Sequence, residues 1–328
     1  MNECSVAISV QQSPEEHADW LELAALRSAG RAASAADLIT ALRVGGSQDA
    51  VVDYDDASDD SGEAEVGDEE ATSSDFLLEA KADAAFGELA SRVAGCGDAS
   101  NYPFDLDSNV LSLNAGREHS FYTLMSTLSA YAWKFKTFGH EGAKIFEEIA
   151  TEAACKYFGA PNAAIKGRVF GFPRRLMPKD FPGALDSLCQ ELGEGGRHRR
   201  GPLSSEAQDA KLDVVVWRDF SDGHIGKLIA FGQCATGQHW DHKISELPRP
   251  SDWCDYWMVG KPVVEPIRCF FVPHRVSKAR WEYACKFGGL LFDRCRIASL
   301  LGGPLPAKSD SSRWLQRMLK RVRKVTGD

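Results

Sequence analysis

Two neighbouring segments, residues 211–220 (KLDVVVWRDF) and 226–235 (GKLIAFGQCA), constrain this chain more than any other feature. Each is a short run rich in β-branched and aromatic residues, and the Asp222-Gly223 step between them is a turn signal, so the pair reads as a hairpin. Leu212, Val214 and Val216 alternate with Val215 and Trp217, and Leu228 and Ala230 with Ile229 and Phe231. Strands apolar on both faces are central strands covered from each side, which points to an α/β fold. Asp213 and Gln233 interrupt these apolar runs, and polar groups in such strands require partners.

Folding one strand onto the other sets Asp213 against residue 232 or 233, depending on loop parity. An odd loop or a bulge puts Asp213 and Gln233 on one face. A local salt bridge for Asp213 and a buried backbone partner for Gln233 are the plain alternative to a functional pair.

The rest of the chain surrounds this hairpin with helical patterns. Residues 15–44 read as a helical hairpin broken at GRA, within a module of residues 1–48. Residues 49–75 hold twelve Asp/Glu and no Lys or Arg, the composition of a disordered linker; a nucleic-acid mimic that shields a basic groove is the sharper alternative. Residues 76–140 read as a helical connecting region, with SFYTLMSTLSAYAWKFKTF as one long helix. Residues 141–307 form the main domain, and 308–328 a basic amphipathic helix with Trp314, Leu315, Met318, Leu319 and Val322 on one side.

Within the main domain, GAKIFEEIATEAACKYFG carries apolar residues at 145, 146, 149, 150, 153, 154, 157 and 158, with Glu147 at the edge of that stripe. A strand at GRVFGF, the hairpin, a helix at QHWDHKISEL and a strand at RCFFVP complete the order helix, strand, strand, strand, helix, strand over residues 143–273.

That order, with an Asp and a Gln on adjacent strands, resembles the PD-(D/E)xK superfamily of restriction-endonuclease-like nucleases over about residues 142–273. The resemblance implies a restriction-endonuclease-like core (αβββαβ, a mixed central sheet flanked by helices) behind an N-terminal helical module. It also implies a Mg²⁺ (or Mn²⁺) ion on Asp213 and Gln233, with Glu147 as a third ligand. The family's strand lysine is replaced by Ala235, and Lys243 on the following helix is the expected substitute. Such ligands suit a hard cation that polarises phosphate and lowers the pKa of a water, while an ammonium stabilises the charge that develops. The stretch from Lys211 to Lys243 is similar to nuclease-like proteins of bacterial anti-phage defence systems. The expected activity is hydrolysis of DNA phosphodiester bonds; the alternative is an inactive, nuclease-like DNA- or partner-binding subunit of a defence complex.

Charge supports a polyanion partner once the acidic tract is set aside. Removing its twelve carboxylates from the formal net charge of −9 leaves the remainder at +3. The 21 residues from Lys308 onward carry seven Lys/Arg against two Asp. Basic runs at Arg174-Arg175 and Arg197–Arg200 add candidate phosphate contacts. Nine scattered cysteines without a CxxC pair, and no long apolar segment, point to a cytoplasmic protein outside the membrane; a protein partner and a homo-oligomer are both compatible with the sequence. Cys234 beside His239 and His242 offers a thiol-enzyme reading, and His239-x-x-His242 a transition-metal pair, each needing partners from elsewhere.

Overall fold

The computed structural model describes residues 8–49, 68–132, 134–200 and 208–324. In chain order these form α1 (Pro14–Arg27), β1 (Ala32–Ser34), α2 (Ala35–Asp49), α3 (Asp68–Gly95), β2 (Phe104–Asp107), β3 (Val110–Leu113), α4 (Phe121–Tyr131), α5 (Lys136–Tyr157) and β4 (Ile165–Val169). There follow α6 (Phe181–Leu192), β5 (Val214–Arg218), β6 (Leu228–Cys234), α7 (Trp240–Lys243), α8 (Pro250–Trp257), β7 (Ile267–Phe271), α9 (Lys278–Gly288), β8 (Leu290–Phe292), α10 (Arg294–Leu301) and α11 (Asp310–Lys324). The architecture is mixed α/β with two sheets.

The larger sheet runs β4-β5-β6-β7-β8. β4, β5 and β6 are antiparallel neighbours, whereas β7 and β8 continue from β6 in parallel. Both of its faces are covered, as the two-sided apolar pattern requires. Val214, Val216 and Ala230 pack with α5 and α10, while Val215, Trp217, Ile229 and Phe231 pack with α6 and Trp253 of α8. Burying a large apolar side chain is worth about 1.5–3 kcal/mol, so this double cover is the main force holding the hairpin centrally.

Several elements depart from the sequence reading, for local reasons. Residues 76–140 are not wholly helical: β2 and β3 form a hairpin there, and β1 adds to it in antiparallel fashion. FDLD and VLSL are too short to show a clear period, and Ser108 takes a positive φ of 47° at the turn. The long helix expected over SFYTLMSTLSAYAWKFKTF divides into α4 and α5, so α5 begins at Lys136, ahead of the expected domain boundary. The strand expected at GRVFGF is β4, which lies slightly earlier, at Ile165–Val169. QHWDHKISEL yields one short helix, and Pro248 and Pro250 start a separate α8. The acidic tract falls largely outside the described residues, but its end, from Asp68, belongs to α3.

The amino-terminal helices do not stand apart. α1, α3, α4, α5, α10 and α11 share one continuous apolar core with a face of the larger sheet. As expected, α11 buries Trp314, Leu315, Met318, Leu319 and Val322. Its basic residues are partly occupied: Arg313 pairs with Asp310, Arg317 with Glu141 and Arg323 with Glu118. No helix among the described residues is long and apolar enough to cross a membrane.

Candidate metal centre

The β5–β6 ladder pairs Val214 with Gly232, and Asp213 donates its N–H to the Gly232 carbonyl at 2.9 Å. Continuing that register by one step sets Asp213 against Gln233, the odd-loop case of the two that the sequence allowed. In this register Gln233 nevertheless has partners of its own. Gln233 is buried and both ends of its amide are engaged: Oε1 accepts the Leu247 N–H at 3.1 Å, and Nε2 donates to Glu246 Oε2 at 3.4 Å.

Asp213 instead meets Glu147. Its Oδ2 accepts the Cys234 N–H at 2.8 Å, which fixes the carboxylate across the end of β6. A Cβ placed on Gly171 would lie 2.8 Å from Glu147 Oε2 and 3.1 Å from Asp213 Oδ1. The two carboxylate oxygens are therefore separated by no more than the sum of those distances. Glycine at 171 leaves the space between them open. Glu147 Oε2 is buried and has no hydrogen-bond partner, an arrangement that buried oxygens rarely tolerate.

The electrostatics follow. Burial first, and then the negative charge of Asp213, push the Glu147 carboxyl from its ordinary 4.5 to about 8, against the pull of Lys144. Burial likewise lifts Asp213 from 3.8 to about 7; the Cys234 N–H and the charges of Lys243 and Lys211 oppose the rise, and Asp209 adds to it. Lys243, at the end of α7, is exposed and close enough for its charge to act on Asp213. Lys211 pairs with Glu246 at 3.2 Å, and Lys144 donates to the Pro173 carbonyl at 3.1 Å.

The structure thus gathers Glu147 and Asp213 with Lys243 nearby, and leaves Gln233 bonded elsewhere. Lys144, Lys211, Asp209 and Gly171 escaped the sequence reading. A signal existed for Lys144, which lies three residues before Glu147 on one helix and so shares its side. Asp209 and Lys211 had none, because Ala210 and Lys211 adopt positive φ values of 51° and 67° that only the folded loop imposes.

Two carboxylates, one of them with a buried unpartnered oxygen, suit a hard divalent cation. Among the described residues, no group of three His, Cys, Asp or Glu side chains is arranged to hold one, so the remaining positions would fall to water or phosphate oxygens. The competing chemistries find less support. Burial and the two nearby carboxylates push the Cys234 thiol well above its ordinary range, which disfavours the thiolate. His239 and His242 are exposed and stack on each other with ring centres 5.6 Å apart.

Gly171→Ala tests the shared space directly. The added methyl would meet both carboxylates, so divalent-ion affinity is expected to fall about 10- to 100-fold, read by calorimetric titration with Mn²⁺. Unchanged affinity would place any ion elsewhere. No protein family, no curated protein and no solved structure matches the chain.

Proposed function

We propose that the chain is a metal-dependent nuclease that hydrolyses DNA phosphodiester bonds on a restriction-endonuclease-like core, with Glu147 and Asp213 holding a Mg²⁺ or Mn²⁺ ion. The observation that carries this reading is the buried, unpartnered Glu147 Oε2 facing the Asp213 carboxylate across Gly171. Two like charges this close raise each other's free energy, and a divalent cation is the counter-charge that relieves both. When bound there, the ion would polarise a phosphate and acidify a water.

The chain's own groups prepare that chemistry. The Cys234 N–H holds one Asp213 oxygen so that the other faces Glu147. Lys243 supplies a positive charge on the solvent side of Asp213, where an ammonium can steady the excess charge of a phosphorane-like transition state. The series α5, β4, α6, β5, β6, α7, α8, β7 contains an αβββαβ order with α6 and α8 inserted, and with the mixed sheet it supports the core assignment. The resemblance read from residues 211–243 is the ground on which we place this activity in bacterial anti-phage defence, in the cytoplasm and with a protein partner.

Incubation of the full chain with supercoiled plasmid and Mg²⁺ tests the activity. Nicking that chelator stops and Asp213→Ala abolishes is expected; cutting that survives either treatment would remove metal chemistry from this site. Lys243→Ala is expected to slow cleavage about 100-fold at saturating Mg²⁺ while leaving Mn²⁺ affinity nearly unchanged. An equal loss in both measurements would make Lys243 an element of ion binding.

A second reading has its own support. Gln233 is tied to Leu247 and Glu246, and Ala235 is buried where the family places its lysine. A nuclease-like subunit that binds DNA or a partner without turnover would show DNA binding but no nicking with any divalent ion.

A further inference from the structure

The loop that leaves β4 passes directly over the carboxylate pair. Gly171 lies against Glu147 and Asp213, and the next residues, Phe172 to Lys179, lead to α6. This loop is anchored along its length. The Phe172 N–H reaches Asp209 Oδ2 at 3.4 Å, and Lys144 holds the Pro173 carbonyl. Arg174 is buried, stacks on the Phe170 ring at 4.6 Å, and donates to the carbonyls of Lys179 and Gln208.

Despite this anchoring, the loop turns large apolar side chains outward. Leu176 is 92% exposed, more than any other large apolar side chain among the described residues, and Phe172 is 39% exposed. Singly exposed apolar side chains are common on protein surfaces; what sets these two apart is an anchored backbone that passes over a charged centre.

We propose that Phe172 and Leu176 form a stacking platform for an unpaired nucleobase, so that the substrate is single-stranded or locally opened DNA. This deepens the nuclease reading and rests on it. The neighbouring charges favour that occupant: Lys144, held at the Pro173 carbonyl, Lys211, paired with Glu246, and Lys243 stand around the carboxylate pair, an arrangement that receives a phosphate once an ion is bound. A base belonging to a neighbouring nucleotide then lies on the side where the chain continues from Gly171 into Phe172 and Leu176. In a duplex the base faces are already stacked, and only an unpaired strand has one to offer.

The test uses the full chain, with Ca²⁺ in place of Mg²⁺ as the hard divalent cation, and a fluorescein-labelled 20-nucleotide oligothymidylate and a 20-base-pair duplex as probes. Fluorescence anisotropy should show that the Phe172→Ala/Leu176→Ser double variant binds the oligothymidylate at least about tenfold more weakly, with its duplex affinity and unfolding temperature unchanged. Leu176→Phe, which enlarges the platform, should tighten oligothymidylate binding and leave the duplex unaffected. Failure of the wild type to bind the single strand, unchanged affinity in the double variant, or an equal loss on both probes would overturn the platform. Binding through these residues without any Mg²⁺-dependent cleavage would instead sustain the platform and defeat the nuclease reading.

Discussion

Glu147→Gln is expected to lose at least about 1000-fold of its Mg²⁺-dependent cleavage and yet, without added metal, to unfold at a higher temperature than the wild type at pH 8.5. The reason is that the site holds two half-buried carboxylates whose proximity helps only an ion. Glu147 titrates at about 8 against an ordinary 4.5, and Asp213 at about 7 against 3.8. The folded protein therefore keeps protons that the unfolded chain releases. The sign is fixed by that difference: stability is fully present below the ordinary carboxylate range, declines as pH rises, and is lost once pH has passed the folded values. Glutamine does not titrate, so its advantage should be absent near pH 4 and grow towards pH 8.5. One pKa unit is worth 1.36 kcal/mol, and after discounting for partial solvent access the gain is about 1–3 kcal/mol. Thermal unfolding in chelator across this pH range measures it. Adding Mg²⁺ should reverse the ranking, because an ion that binds only the native wild type stabilises it by mass action. A glutamine variant that is no more stable at pH 8.5, or that still cuts, would remove the metal role from Glu147.

The second large effect is expected at Arg294, on α10. Its side chain is fully buried and bonds Asp19 at 2.8 Å, Glu22 at 3.1 Å, Ser129 at 2.9 Å and the Pro273 carbonyl at 2.9 Å. Arg92, equally buried, bonds the same two carboxylates from α3, and Tyr102 and Tyr122 give their hydroxyls to Glu22. The network ties α1 to α3, α4 and α10. Removing one cation leaves buried carboxylates only half compensated, a loss of about 3–5 kcal/mol. That is a large fraction of the whole stability of a domain, so Arg294→Ala is expected to be largely unfolded or insoluble, whereas Arg200→Ala, at an exposed position, should match the wild type. Urea titration followed by circular dichroism gives the comparison. Burial alone would raise Asp19, but Arg294 and Arg92 hold it well below the usual carboxylate range. Its pairing therefore contributes stability above the ordinary Asp value, and that contribution is lost as pH falls below it. An Arg294→Ala protein within about 1 kcal/mol of wild type would mean that the amino-terminal helices are held by apolar packing alone.

How much of this was legible beforehand differs from residue to residue. The hairpin strands were, because their alternation is local and their two-sided apolar content has one physical cause. The docking face of α11 was legible for the same reason at helical period. Asp293 and Arg294 both serve in internal ion pairs, with partners that sequence distance hides: Asp293 pairs with Arg275, and Arg294 with Asp19 and Glu22. The hairpin of β2 and β3 went unread because each strand is four residues long and is completed by β1, some seventy residues earlier.

At the site the division is sharper. The sequence by itself determined that Asp213 and Gln233 sit on adjacent central strands and that Glu147 lies at the edge of a helix packed on them, since these follow from periodicity and chain order. It left open which side chains meet. Only the tertiary structure decided that Asp213 turns to Glu147 across Gly171, while Gln233 caps the Leu247 N–H. The reason is physical: a buried amide takes the nearest unsatisfied backbone group, and which group that is depends on where a later turn of chain returns. Periodicity governs the face a residue occupies; the company it keeps there is set by contacts between segments far apart in the chain.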